Sequence, residues 1–121
     1  MTKIVGVSGS LRRSSFNTAL LRAAAGLMPE DAELTVATIH GIPLYDADLE
    51  SSAGIPQPVT ALKDLIAGSD GLLLATPEYN NSIPGVFKNA YFFKTFRISS
   101  IVGPRCVDPH PACYCADFEL R

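Results

Sequence analysis

The chain has 121 residues, of which 47% are apolar and 18% are charged, and its formal net charge is −2. This composition predicts one soluble globular domain with a single core, and it excludes disordered and collagen-like proteins. The basic residues are scattered, no apolar stretch is long enough to cross a bilayer and no signal peptide opens the sequence, so we expect no nucleic-acid or membrane partner and a cytoplasmic location.

Three short apolar segments, at residues 4–7, 34–39 and 71–75, predict buried strands of a parallel sheet. The segment after the first strand predicts a helix with Ser14 or Ser15 as its N-cap. The apolar positions of this helix recur at helical spacing and predict one buried face, formed by Phe16, Ala19, Leu20, Ala23, Ala24 and Leu27.

The same alternation continues after the second strand. Residues 40–57 predict a loop and a polar surface stretch, in which we interpret His40 as a surface histidine rather than a ligand. Pro58 suits the first turn of a second helix and Gly68 its C-terminal cap. The apolar face of this helix is predicted to be Val59, Leu62 and Ile66. A third helical run begins at Pro84 and Gly85.

Alternating strands and helices with short links predict an α/β fold whose parallel sheet is covered on both faces. Ligands in such folds bind at the carboxyl ends of the strands. The loops at residues 8–17 and 77–84 both leave carboxyl ends of predicted strands. We therefore expect these two loops to line one crevice.

The first of these loops has the chemistry of an anion site, because a helix N-terminus presents unpaired amides and a partial positive charge. Additional donors for phosphate oxygens would come from Ser10, Arg12, Ser15 and Asn17. The alternative interpretation is an ordinary serine-capped helix with its arginine in solvent. The glycine patterns of Walker-type and dinucleotide-binding loops are absent, and the loop has no cysteine to act as a nucleophile.

The second loop is suited to a flat ligand. Its prolines fix backbone φ, its asparagines and Gly85 permit turns, and Tyr79 offers an aromatic face. The backbone N–H groups of such a loop can stay available for hydrogen bonds to a bound ring system. An ordinary connecting loop would need none of these residues.

Together the two loops resemble the NADPH-dependent FMN reductase family of flavodoxin-like quinone, chromate and azo reductases, over residues 3–90. The resemblance is carried by Gly9-Ser10-Leu11-Arg12-x-x-Ser15-x-Asn17 and Pro77-Glu78-Tyr79-Asn80-x-Ser82-x-Pro84-Gly85-x-x-Lys88-Asn89-Ala90. It implies a flavodoxin-like three-layer fold, bound FMN, NADPH or NADH as electron donor and a quinone or similar acceptor. It also implies a ping-pong order of reaction and a homodimer or homotetramer.

The resemblance implies two groups of FMN-binding residues and no catalytic side chain. The phosphate group would be held by Ser10, Arg12, Ser15 and Asn17, with Leu11 and Phe16 as part of the same cofactor-binding loop. The isoalloxazine ring would lie along Pro77, Glu78, Tyr79 and Asn80. Tyr79 borders the reactive face in one interpretation and packs against a partner subunit in the other. Glu78 is disfavoured as a general acid because a loop carboxylate is normally solvated.

Residues 91–121 depart from the family pattern. We expect residues 1–90 to form the FMN-binding portion and residues 91–121 a divergent tail, which would leave the domain incomplete at its C-terminus. A frameshift or truncation near residue 90 would explain this change. Residues 98–102 are a candidate fourth strand. The tail holds Cys106, His110, Cys113 and Cys115, whose spacing is not that of a usual zinc site.

Three hypotheses for function follow. The leading one is an FMN-dependent oxidoreductase that passes electrons from NAD(P)H to a quinone or similar acceptor. The second is a flavin-binding electron carrier without pyridine-nucleotide activity. The third is a truncated or frameshifted remnant without catalytic activity.

Overall fold

The computed structural model describes residues 1–93 and 114–118. Helices and strands alternate along these residues as the sequence predicts, and the predicted α/β class is confirmed. The elements are β1 (Thr2–Ser8), α1 (Phe16–Gly26), β2 (Ala32–Thr38), α2 (Ala47–Ala53), α3 (Gln57–Ala67), β3 (Gly71–Thr76), α4 (Gly85–Phe92) and β4 (Tyr114–Phe118).

The strands form one sheet in the order β2-β1-β3-β4. Strand β1 pairs in parallel with β2 and with β3, so the three predicted strands form the predicted parallel sheet. Strand β4 pairs antiparallel with β3. The only strand that we predicted in the tail was the candidate at residues 98–102, so β4 is a correction. The candidate strand at residues 98–102 lies outside the described residues.

One face of the sheet carries the main core. Side chains of paired strand positions Val5 and Leu72 point to this face, where α3 and α4 cover them. The buried members of this cluster are Val5, Val7, Ile39, Leu62, Ile66, Leu72, Phe87 and Ala90. The predicted apolar face of α3 is thus confirmed, with Pro58 in the first turn and Gly68 at the C-terminal cap.

Helix α1 covers the opposite face of the sheet, in an orientation that differs from the sequence prediction. Leu21 is buried against Gly6, where an added Cβ would lie 3.0 Å from the Leu21 Cδ2 atom. A buried hydrogen bond of 2.7 Å joins the hydroxyls of Ser8 and Thr18. These two contacts fix the rotation of α1.

The predicted buried face of α1 is therefore wrong. Phe16 is 81% exposed, and Leu20 and Leu27 are exposed as well. The physical reason is that the buried hydroxyl pair draws Thr18 toward the sheet, and Leu21 follows one turn later on the same side of the helix. The more apolar stripe is left facing away from the sheet.

Helix α2 lies in the polar stretch that we predicted to be at the surface, where no helix was predicted. The stretch is at the surface, and none of the residues of the helix is buried. The helix forms because the Asp46 side chain accepts hydrogen bonds from the backbone N–H groups of Asp48 and Leu49, and Gly54 ends it with a φ of 77°. Caps, rather than an apolar face, stabilise this element.

Candidate functional site

Three loops leave the carboxyl ends of β1, β2 and β3 and meet at one edge of the sheet. The chain passes from β1 to β2 on one side and then returns to β3 on the other side, so the strand order reverses at β1. The backbone N–H of Gly9 donates to the Ala75 carbonyl at 2.8 Å, which joins the first loop to the end of β3. The two motif loops therefore lie next to each other, at the point where parallel α/β folds place their ligands.

The loop after β1, residues 9–15, is held by local hydrogen bonds to serine hydroxyls. The Ser8 hydroxyl accepts from the Ser10 N–H at 3.4 Å, and the Ser10 hydroxyl accepts from the Arg12 N–H at 3.2 Å. The Ser15 N–H donates to the Arg12 carbonyl at 3.2 Å. Ser10 is buried, whereas Leu11 and Arg12 are exposed. The loop thus has a defined shape with its arginine at the surface.

The N-terminus of α1 is capped by Ser15, as one of the two predicted candidates. The Ser15 hydroxyl accepts a hydrogen bond of 3.3 Å from the Thr18 N–H, and Ser15 is 7% exposed. Asn17 is half-buried in the first turn, which contains no acidic residue. The amides of the helix N-terminus, the serine hydroxyls and the arginine of the loop, with no acidic residue in the first turn, form a donor set that fits a phosphate monoester.

The loop after β3 contains a tight turn at residues 79–82. The N–H and carbonyl groups of Tyr79 and Ser82 exchange hydrogen bonds of 2.8 and 3.1 Å. Asn80 and Asn81 have φ values of 53° and 61°, which fit the left-handed central positions of a type I′ turn. The asparagines are thus turn formers, as expected. The Glu78 carboxylate accepts a hydrogen bond of 2.9 Å from the Asn81 N–H, which adds a side-chain bond to the turn.

The first loop passes very close to β3 and α4. A Cβ added to Gly9 would lie 2.5 Å from the Thr76 Oγ1 atom and 2.8 Å from the Phe87 Cδ1 atom. Only glycine permits this approach without a shift of the neighbours. Phe87 and Thr76 are both buried, so the contact joins the loop to the core of the domain.

The loop after β2 is held against α4 by the side-chain amide of Asn89. Its Oδ1 atom accepts from the Tyr45 N–H at 2.8 Å, and its Nδ2 group donates to the Pro43 carbonyl at 2.8 Å. The Tyr45 ring packs edge-on against Phe93, with ring centroids 5.3 Å apart. A hydrogen bond with Glu50, followed by burial and by the negative charge of neighbouring carboxylates, raises the pKa of Tyr45 above its ordinary value of 10.0.

Two residues of the site have roles that the sequence did not reveal. His40 is exposed, but its Nε2 atom lies 3.0 Å from the Leu11 carbonyl oxygen in the first loop. No local signal indicated this contact, because the two residues are 29 positions apart. Asn89 stood within the second motif, yet its spacing alone did not reveal that it binds the loop after β2.

The described residues include neither a helix that could span a membrane nor a cluster of metal-binding side chains. Within residues 1–93 and 114–118, no helix has the length and apolar character needed to cross a bilayer. Among the same residues, no group of three or more potential metal-binding side chains is found. Cys106, His110 and Cys113 lie outside the described residues, and for Cys115 only the backbone, in β4, is described.

A parallel sheet with helices on both faces, and with its candidate site where the strand order reverses, defines a flavodoxin-like α/β protein. The fold expected from the resemblance is confirmed by a solved structure. The flavoenzyme NAD(P)H:(acceptor) oxidoreductase of Paracoccus denitrificans matches with a TM-score of 0.68 and 37% identity, over 80% of this chain and 52% of that one. Residues 2–91 match the model of the NADPH-dependent FMN reductase family, and the chain belongs to this family.

Curated relatives support the same family. A 2-hydroxy-1,4-benzoquinone reductase of a Burkholderia species is 51% identical over 88 residues, which are 73% of this chain and 47% of that protein. An NAD(P)H-dependent FMN reductase of Pseudomonas aeruginosa is 48% identical over 88 residues, with the same coverage of 73% and 47%. A quinone reductase of Escherichia coli is 43% identical over 89 residues, again covering 73% and 47%. The chain therefore spans about half the length of the curated relatives it matches.

Proposed function

We propose that the chain is an FMN-dependent oxidoreductase that passes electrons from NADPH or NADH to a quinone or similar small acceptor. The observation that carries this proposal is the convergence of the two motif loops at the point where the strand order reverses, with the first loop bonded to the end of β3. Residues 1–90 are the proposed FMN-binding portion. NAD(P)H is a metabolite of the cell interior, so the proposed location is the cytoplasm.

The proposed phosphate site is the loop after β1 and the first turn of α1. Both serine hydroxyls accept a hydrogen bond from a backbone N–H, Ser10 from Arg12 and Ser15 from Thr18. Each hydroxyl keeps its own hydrogen for donation to a phosphate oxygen. The other proposed contacts with the phosphate are made by Arg12 and Asn17, and Leu11 and Phe16 complete the proposed cofactor-binding loop.

The proposed ring site is the loop after β3, where Pro77, Glu78, Tyr79 and Asn80 would lie along the isoalloxazine. The turn at residues 79–82 gives this backbone a fixed shape, which lowers the cost of ordering it around a rigid ligand. Glu78 is bonded to the Asn81 N–H and serves the turn, so we assign it no role as a general acid.

Tyr79 is 57% exposed, which leaves its ring available to a substrate or to a partner subunit. Both roles stay open. Bound FMN would supply the two-electron chemistry, taking a hydride from the nicotinamide and passing electrons to the acceptor. The chain would bind the phosphate, orient the ring and leave one ring face accessible. A homodimer or homotetramer is the proposed assembly.

The test is anaerobic addition of NADPH to the purified chain loaded with FMN. Bleaching of the flavin's visible absorbance, and its recovery when 1,4-benzoquinone is added, would support the proposal. A chain that binds FMN but bleaches only with dithionite would be an electron carrier instead. A folded chain that binds no FMN would correspond to the inactive alternative.

A matched pair of variants tests the phosphate site. Ser15→Ala removes the N-cap hydroxyl, whereas Ser14→Ala removes an exposed hydroxyl one position earlier. We expect Ser15→Ala to weaken FMN binding about 10-fold or more, since hydrogen bonds to charged groups contribute about 1.5–3 kcal/mol and about 1.4 kcal/mol is a factor of ten in Kd. Ser14→Ala should leave FMN binding unchanged. Equal effects of the two variants would contradict the assignment of Ser15.

A further inference from the structure

His40 contacts the proposed phosphate loop from a different element. It follows β2, and its Nε2 atom lies 3.0 Å from the Leu11 carbonyl oxygen. A carbonyl oxygen only accepts hydrogen bonds, so Nε2 must carry the hydrogen and donate it. The contact therefore requires either the imidazolium or the neutral ring with its hydrogen on Nε2.

The contact acts on a single peptide unit. The Leu11 carbonyl and the Arg12 N–H belong to the same trans peptide, so they point in opposite directions. His40 holds the carbonyl end of this unit, and the Ser10 hydroxyl accepts from its N–H end at 3.2 Å. With both ends bonded, the peptide cannot flip without breaking two hydrogen bonds.

The other hydrogen bonds of the loop do not fix its middle relative to the sheet. Those from Ser10, Arg12 and Ser15 join atoms within residues 8–15 and set local shape. The bond from the Gly9 N–H to Ala75 holds only the start of the loop. The bond from His40 joins the middle of the loop to the end of β2, and thereby fixes its position relative to the sheet.

We propose that His40 is a positioning residue for the phosphate loop. Acting through the Leu11 carbonyl, it holds residues 10–12 in the conformation that receives a phosphate monoester, and so it contributes to the preference of the site for FMN over riboflavin. This inference rests on the proposed function. His40 itself need not touch the flavin.

The test compares FMN with riboflavin, which has the same ring system and no phosphate. His40→Ala should raise the Kd for FMN about 3- to 10-fold, as expected for the loss of one hydrogen bond. The Kd for riboflavin should change less than about 2-fold, because the ring site is not altered. His40→Gln, whose amide can donate to the same carbonyl, should recover most of the FMN affinity.

Ser51→Ala is the matched control. It also removes one exposed hydrogen bond to a backbone carbonyl, that of the Ser51 hydroxyl to Ala47 at 2.9 Å, but it lies on α2. The ratio of FMN to riboflavin affinity should be unchanged in this variant. Equal weakening of FMN and riboflavin binding in His40→Ala would overturn the proposal, because it would indicate a general structural role. An unchanged ratio would overturn it as well.

A second measurement needs no flavin. Hydrogen exchange of the Arg12 amide should accelerate in His40→Ala and not in Ser51→Ala, since the peptide loses one of its two anchors. Unchanged exchange would overturn the proposed positioning role. Failure of the proposed function would appear differently, as a lack of FMN binding by the unaltered chain, and that result would also remove the basis of this inference.

Discussion

Gly9→Ala tests the close approach of the phosphate loop to β3 and α4. The new methyl group would lie 2.5 Å from the Thr76 Oγ1 atom and 2.8 Å from both the Thr76 Cβ atom and the Phe87 Cδ1 atom. Gly9 does not have a positive φ, so the cost is steric and not conformational. Both neighbours are buried and cannot move aside freely.

Overpacking of this kind costs about 1–3 kcal/mol. For a small domain with a urea m-value of about 1.5 kcal/mol per molar, the unfolding midpoint should fall by about 0.7–2 M. The displaced loop should also bind FMN more weakly, with a smaller effect on riboflavin. Urea unfolding followed by circular dichroism, together with flavin titrations, measures both effects.

Gly26→Ala is the matched control for this prediction. A Cβ at Gly26 meets no atom within 4 Å, and the residue ends helix α1. The control should be neutral or stabilising by up to about 1 kcal/mol, because alanine loses less backbone entropy than glycine on folding. A Gly9→Ala variant as stable as the Gly26→Ala variant would refute the packing argument.

Two further predictions concern the loop after β2. Asn89→Leu removes the hydrogen bonds to Pro43 and Tyr45, and it should destabilise the chain by about 1–2 kcal/mol. Hydrogen exchange of the Tyr45 amide should also become faster. Lys88→Leu, at the neighbouring exposed position, should change neither the stability nor the exchange rate. Because the pKa of Tyr45 is raised in the folded chain, its contribution to stability is fully present below pH 10.0 and is lost as pH rises through the raised value. Glu50→Gln should lower that pKa toward 10.0 in an NMR titration of the tyrosine ring, and an unchanged titration would exclude Glu50 as the main cause.

The sequence predicted those parts of the fold that have local signals. The three parallel strands are short apolar segments, and α3 and α4 begin near prolines. The orientation of α1 was predicted wrongly because its most apolar stripe is not its buried one. That orientation depends on the pairs Ser8 with Thr18 and Gly6 with Leu21, which come from different elements.

Helix α2 was missed for a related reason. It buries no side chain, so it has no apolar period to reveal it. Its signals are Asp46 at one end and Gly54 at the other, and these residues are equally common in loops. Strand β4 was missed because an edge strand can form from a segment without apolar alternation when a neighbouring strand offers unpaired backbone groups.

The sequence predicted that the two motif loops lie together, and it predicted only some of the contacts that shape them. Two motifs in order indicated which loops meet, and Ser15 had the residue type and position of an N-cap. The contacts that join the loops were not predictable. His40 contacts Leu11 across 29 positions and Asn89 contacts Pro43 across 46. Contacts between residues so far apart in the sequence leave no periodic pattern from which they could be predicted.

The most direct test of the central claim is a fluorescence titration of FMN with the purified, folded chain, with riboflavin as the comparison. We expect saturable quenching at one flavin per chain, a Kd for FMN of about 1 μM or tighter, and weaker binding of riboflavin because it lacks the phosphate. No saturable binding of FMN by a chain shown to be folded would contradict the claim that these two loops form a flavin site.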